Sequence, residues 1–447
     1  MDPVDQELLA AEADALFSGL ALERHRHVAG LVASPDLASH FSAHARAAHR
    51  ETVKALGEAD LAAEVARLRV ERVQAASEEA WRAEEAKRTI ASPDGVVSFE
   101  EGQLALVRER DRGKRLILGR EVARAARLGA REAAVEERAR ARAELGLTPD
   151  WEAVVAADEV LSASDDAYQD VLGWLFRREA SLPPPPAGDP ERSDLLFVLA
   201  LPSFDGVFPR GALEGLLRET AGPLRLQLDE VNLEEGARPA QWPGAHAHGV
   251  NVSLRRQGGA ADYLGLFEAV GQAIAAARAP AHRRPPAATF TGGTLLAHLL
   301  LDPGFLLSRL RVDKKRAGDL VRALSLRELF RLRARAAACR VASEVERGMS
   351  GSAWHEAHRE ALSRATLVAW PLGLCARDGD AGALAAALLG AAQAERERAV
   401  LVERFDEDWW KNPRSAAELA RLLAQGFSPG KEAPPLALSA RALVAKL

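Results

Sequence analysis

The chain has 447 residues and a formal net charge of −5, with 48% hydrophobic and 28% charged residues. That length allows two or three domains, and that balance excludes wholesale disorder and argues against a general polyanion-binding surface. The only cysteines, Cys339 and Cys375, cannot form a disulfide framework and fit a reducing compartment.

Ala, Leu, Arg and Glu dominate, all good helix formers, so a mainly α fold is expected. The start, MDPVDQELLAAEADALFSGL, is acidic and breaks its apolar residues with Glu and Asp, which does not read as a secretory signal. No window reaches 18 uncharged apolar residues. The expectation is a cytoplasmic protein with neither membrane nor nucleic-acid partners.

Residues 1–182 read as an N-terminal helical region, with apolar residues three and four apart, as at Leu61, Val65 and Leu68. Pro93-Asp94-Gly95 is a turn signal. Lys114 to Leu145 is rich in Arg with interleaved Glu, and reads as a solvated helix face. Four prolines, Pro183 to Pro186, cannot continue a helix, so residues 183–190 read as a linker to a second unit, 191–447. Strands are expected at Leu195–Leu201 (LLFVLAL), Leu224–Leu228 (LRLQL) and Val250–Leu254 (VNVSL). From Asp262 the pattern is helical nearly to the end. Within it Arg327, Arg331 and Arg335 repeat at four spacing, and read as a solvated or salt-bridged stripe because acidic residues interrupt it.

The segment with most to say is Gly258 to Ile274, GGAADYLGLFEAVGQAI. Asp262 can cap a helix whose apolar face is Leu264, Phe267, Val270 and Ile274. Glu268 and Gln272 stand four apart on one side, and Gly271 allows another backbone to pack closely.

These residues resemble the metal-binding helix of the thimet oligopeptidase and oligoendopeptidase family of zinc peptidases. That helix has the form Leu-Phe-His-Glu-x-Gly-His-Ala-Leu and follows Gly-Gly-x-x-Asp-Tyr. The frame Gly258-Gly259, Asp262-Tyr263 and Leu266 to Ile274 matches without a gap. The resemblance implies zinc-binding histidines where Glu268 and Gln272 stand, and the general-base glutamate where Ala269 stands. The family's third ligand, a glutamate on a second helix, falls at Gly292. The family's His- and Tyr-rich oxyanion stretch corresponds to Ala365–Arg377, which has neither residue. Asp408-Trp409-Trp410-Lys411-Asn412-Pro413 and Gly426 resemble the family's closing helices.

Zinc peptidases use three protein ligands plus water, so a zinc cofactor is expected of the family while the residues that would hold it are absent. Two other histidine groups are candidates for a rebuilt metal site. His355-Glu356-Ala357-His358 is one residue short of a zincin motif, and its charged flanks read as an exposed helix. His246 and His248 precede the third expected strand, and with His298 they are the alternative metal residues.

The resemblance implies two helical lobes around a deep channel, with a small β-sheet in the second half. The leading reading is a catalytically inactive pseudopeptidase that binds a peptide or protein partner in its channel. An active metallo-oligopeptidase with a rebuilt site and a purely structural interaction protein are the alternatives.

Overall fold

The fold seen in a computed structural model is described for residues 3–447 apart from 50, 53–55, 57, 58, 127, 128, 148–150, 186–188, 282, 283, 285, 378 and 426–432. Gly426 and part of the proline run lie outside the described residues. The first helices are α1 (Pro3–Val28), α2 (Leu37–Ala43) and α3 (Ala59–Ala86). A hairpin of β1 (Thr89–Ser92) and β2 (Gly95–Ser98) follows, turning at Pro93-Asp94. Next come α4 (Phe99–Arg108), α5 (Arg112–Ala125), α6 (Gly129–Glu144), α7 (Trp151–Ser162) and α8 (Asp165–Ala180).

Beyond the prolines lie α9 (Arg192–Leu199) and α10 (Leu213–Leu224), then β3 (Asn232–Glu235), β4 (Gly244–His248) and β5 (Asn251–Arg255). The remainder is helical: α11 (Ala260–Arg278), α12 (Pro286–Ala297), α13 (Pro303–Arg309), α14 (Lys314–Val345), α15 (Gly351–Thr366), α16 (Ala381–Phe405), α17 (Ser415–Gln425) and α18 (Ala437–Val444). No single described helix is long and apolar enough to cross a membrane.

The periodicity of α3 does what it promised. Leu61, Val65 and Leu68 bury against Leu9, Ala13, Leu16 and Leu20 of α1. A larger core runs from α7 to α18. Arg333 of α14 is buried in it and fully engaged. It donates to the carbonyls of Leu161 (2.9 Å) and Ala365 (2.8 Å), to Ser164 Oγ (2.7 Å) and to Asp165 (2.7 Å). These bonds fasten α14 to the α7–α8 turn, so helices before the proline run share the core of those after it.

Two expected strands are corrected. Leu195–Leu199 of LLFVLAL lie in helix α9, because Glu191 and Asp194 form a reciprocal capping box and the run is buried among other helices. A short apolar run fits a buried helix as well as a buried strand, and the caps decide. LRLQL is no strand either: Leu224 ends α10, and Arg225 adopts a left-handed φ of 50°. The third expectation holds to within a residue as β5, the centre of a sheet ordered β3-β5-β4. β3 pairs with β5 in parallel and β4 antiparallel. The β1–β2 hairpin was not foreseen, although its turn was.

The arginine-rich stretch from Lys114 to Leu145 is also corrected. Arg115 is buried and holds Asp194 of α9 at 2.7 Å. Arg138 pairs with Asp380 (2.9 Å) and Arg142 with Glu346 (3.2 Å). Interleaved Glu residues do not make a face solvated when another helix supplies carboxylates.

Candidate functional site

Helix α11 is buried on nearly every side. It is entered through Gly258 and Gly259, both at positive φ (96° and 62°), where a β-carbon would be strained. Asp262 is not the cap residue itself. It sits one turn in, and its carboxylate accepts from the backbone N–H of Gln257 (2.6 Å) and Gly258 (3.0 Å). Tyr263 donates its hydroxyl to the Pro209 carbonyl at 2.7 Å.

α12 crosses α11 at glycines. A β-carbon on Gly271 would lie 2.4 Å from the Gly292 carbonyl oxygen, and one on Gly293 2.8 Å from that of Glu268. Gly292 therefore faces Gly271, and Gly293, one residue on, lies against Glu268. Gly271→Ala should cost about 2–3 kcal/mol, because backbone cannot rotate away. Gly265→Ala is the control: its nearest atoms would be 3.6 Å away. That change should be neutral or stabilising by up to about 1 kcal/mol from helix propensity. Urea midpoints of the two variants check both statements.

Glu268 is 8% exposed and meets the arginine stripe of α14. Arg331 Nη2 donates to its Oε2 at 2.5 Å, and Arg335 Nη2 to its Oε1 at 3.5 Å. Arg331 also holds Glu328 at 2.9 Å. Two buried carboxylates and two half-buried guanidiniums thus form one charge-balanced cluster. Burial alone would raise the Glu268 carboxyl, but Arg331 and then Arg335 outweigh it and bring it down to about 2. Burial lowers Arg335, and repulsion from Arg331 adds to that. Burial also lowers Arg327, the third member of the stripe, which donates to the Leu199 carbonyl at 2.6 Å. The stripe is salt-bridged, as expected, through Arg331 and Arg335, and its three arginines are half-buried.

Ala269 is buried beside Glu268, and Gln272 is half-buried against Gly293. The candidate histidines do not converge. β4 puts His246 and His248 on one face of a strand, opposite Ser253 and Asn251. His246 Nε2 donates to the Pro243 carbonyl at 2.9 Å, and burial, then Arg24, hold His248 well below the ordinary histidine value. His298 follows α12 and binds Glu395 at 2.7 Å. Burial would raise Glu395, but the hydrogen bond from His298 pulls it to about 2. Only His298 shares a space with Glu268, one of about 20 Å³ also lined by Glu328 and Arg335.

The expected exposed helix around His355 and His358 has one buried face. His355 pairs with Glu132 of α6 at 2.8 Å, while His358 is 3% exposed and lines a cavity of about 40 Å³ with Cys375. Among the described residues no group of three or more His, Cys, Asp or Glu is placed to hold a metal ion.

A cavity of about 580 Å³ separates α1, α3 and α6 from α12 and α16. Neither Glu268 nor Gln272 lines it. The Arg331 and Arg335 partnership with Glu268, and the charged wall of this cavity, were not read from the sequence. Both had a visible signal: charges at helical spacing on α14 and on α3.

No family model and no curated protein matches the chain. Solved structures do. One is described as an oligoendopeptidase F of Bacillus anthracis str. Ames, at 13% identity and TM-score 0.52, covering 100% of this chain and 82% of that one. The M32 carboxypeptidase of Deinococcus radiodurans R1 matches at 11% identity and TM-score 0.54, over 98% of each chain. A carboxypeptidase of Pyrococcus furiosus matches at 10% identity and TM-score 0.53, over 100% of this chain and 99% of that one. The shared feature at these identities is the fold: the helical, zincin-like architecture of these peptidases.

Proposed function

We propose that this protein is a pseudopeptidase: an oligopeptidase-like scaffold without catalysis, which binds a peptide in the cavity between its lobes. One observation carries the reading. Both carboxylate oxygens of Glu268, which stands where a metal-binding histidine is expected, are engaged by Arg331 and Arg335.

A zinc ion needs three protein donors and an open position. Here the one first-position donor is a carboxylate already neutralised by guanidinium, Ala269 has no donor, and Gly292 and Gly293 have no side chain. The residues present do not fit zinc. The positive charge a metal would bring is supplied by two arginines of α14, and Ala269 cannot act as a general base. The cavity of about 580 Å³ and the likeness in fold to peptidases support the binding half of the proposal.

Elemental analysis of protein purified without a metal-binding tag tests the first half. Far less than one zinc per chain is expected, with no cleavage of a mixed peptide library. One zinc per chain with chelator-sensitive cleavage would overturn the proposal, and His298, beside Glu268, would then be the first residue to replace.

A further inference from the structure

The cavity between the lobes has an unusual charge balance. Seven of its lining residues are arginines and four are carboxylates. The carboxylates are already engaged. Glu71 takes Arg24 (2.8 Å) and Arg67, Glu78 takes Arg24 (3.1 Å), and Glu64 takes Arg67 (2.6 Å). Asp380 holds Arg138 at 2.9 Å and also caps α16 by accepting from Ala383 N–H. Arginines outnumber carboxylates by three on the wall itself, and one of them, Arg142, is held by Glu346 behind it at 3.2 Å.

Two arginines stand out by geometry. Arg82 has its nearest carboxylates, Glu85 and Glu78, no closer than 3.7 and 3.9 Å. Its guanidinium lies over the rings of Trp81 (3.8 Å) and Trp242 (4.8 Å), which hold the plane in place before any ligand arrives. Arg284 donates to the carbonyls of Ala276 (2.7 Å) and Ala279. It stands where the cavity meets a second of about 360 Å³; Phe17, Ala281 and Arg284 line both. Burial lowers both guanidiniums, Arg82 to about 10, since nearby carboxylates do not fully compensate. A carboxylate delivered to a preorganised, partly desolvated guanidinium makes a strong, directional bond.

Phe17, Val70, Leu147 and Phe290 interrupt the charged wall with apolar surface. A ligand that alternates carboxylates with apolar groups matches both. Resting on the reading of this cavity as a peptide site, we propose that its ligand is a short acidic peptide whose Glu or Asp side chains pair with Arg82 and Arg284. The whole-chain charge of −5 conceals this, because the surplus is confined to one cavity wall.

Calorimetric titration of the full chain with three capped peptides tests the inference: Ac-Glu-Leu-Glu-Leu-NH2 and its Gln and Lys counterparts. The Glu peptide should bind about 10-fold or more tightly than the Gln peptide, with the ratio shrinking as salt is raised. Arg82→Gln and Arg284→Gln should each weaken the Glu peptide by about 5–10-fold and leave the Gln peptide unchanged. Arg284→Gln keeps the test alive if Arg82→Gln, packed between tryptophans, does not fold. Arg120→Gln, on an exposed side chain outside the cavity, should change nothing. Equal affinity for the Glu and Gln peptides, or a preference for Lys, overturns the acidic specificity and leaves the peptide site standing. Pyrophosphate binding more tightly than the Glu peptide, and sensitive to Arg284→Gln, overturns it in favour of a phosphate ligand. No binding of any peptide overturns the peptide site itself, and the inference with it.

Discussion

Arg331→Met should destabilise the protein by about 3–5 kcal/mol, the range for removing one partner of a buried ion pair. The cost is not the value of a contact. It is the penalty of leaving Glu268, 8% exposed, with its Oε2 unpaired and only Arg335 at 3.5 Å on the other oxygen. Glu328 loses its 2.9 Å partner in the same step. Glu268→Gln combined with Arg331→Met removes both charges of the shortest pair and should recover part of the loss, so a double-mutant cycle isolates the coupling.

The pH dependence gives an independent readout. Glu268 titrates at about 2 in the folded protein, below its ordinary value of 4.5. Its contribution is therefore fully present above pH 4.5 and lost as pH falls from there towards 2. Without Arg331, burial pushes the carboxyl upward. In Arg331→Met the Glu268 contribution should then weaken or change sign, with stability rising as the carboxylate is protonated. Urea unfolding of both proteins between neutral pH and pH 3 measures this. Identical acid profiles would show that the cluster does not govern the site.

The second large effect is expected at Asp194. This residue is fully buried at the start of α9, where its Oδ1 accepts from Arg115 Nη2 at 2.7 Å and its Oδ2 from Arg112 at 3.2 Å. It also accepts from the Glu191 backbone N–H at 3.3 Å as half of the capping box. Asp194→Ala strands the guanidinium of Arg115, itself 2% exposed, removes the cap of α9 and unties α5 from α9. About 3–5 kcal/mol of lost stability is expected, read from the urea midpoint. Arg115→Met alone should cost a similar amount and add little on top of Asp194→Ala. Additive losses would mean that the two residues act independently.

Much of the fold was legible because the chain carries local signals that agree with one another. Leu61, Val65 and Leu68 read as one helical face and bury as one. Pro93-Asp94-Gly95 reads as a turn and makes one. The frame from Gly258 to Ile274 reads as a helix that another backbone approaches at Gly271, and Gly292 does approach there. Misreadings came where local pattern is ambiguous. The seven apolar residues Leu195–Leu201, five of them in α9, carry no period, so only the Glu191–Asp194 caps distinguish helix from strand.

The candidate site divides in the same way. Sequence by itself determined that α11 exists, that Glu268 and Gln272 share one side of it, and that no histidine stands at either position. It also determined that arginines recur every fourth residue along α14. Only the tertiary structure decided that those arginines close on Glu268, and that the charges of α3 line a cavity rather than an outer face. The physical reason is that a polar stripe has the same 3.6-residue period whether it meets solvent or a buried partner. Which of the two it meets depends on the helix docked against it, and that helix lies some sixty residues away in sequence for Glu268 and Arg331, and more than two hundred for α3 and α12.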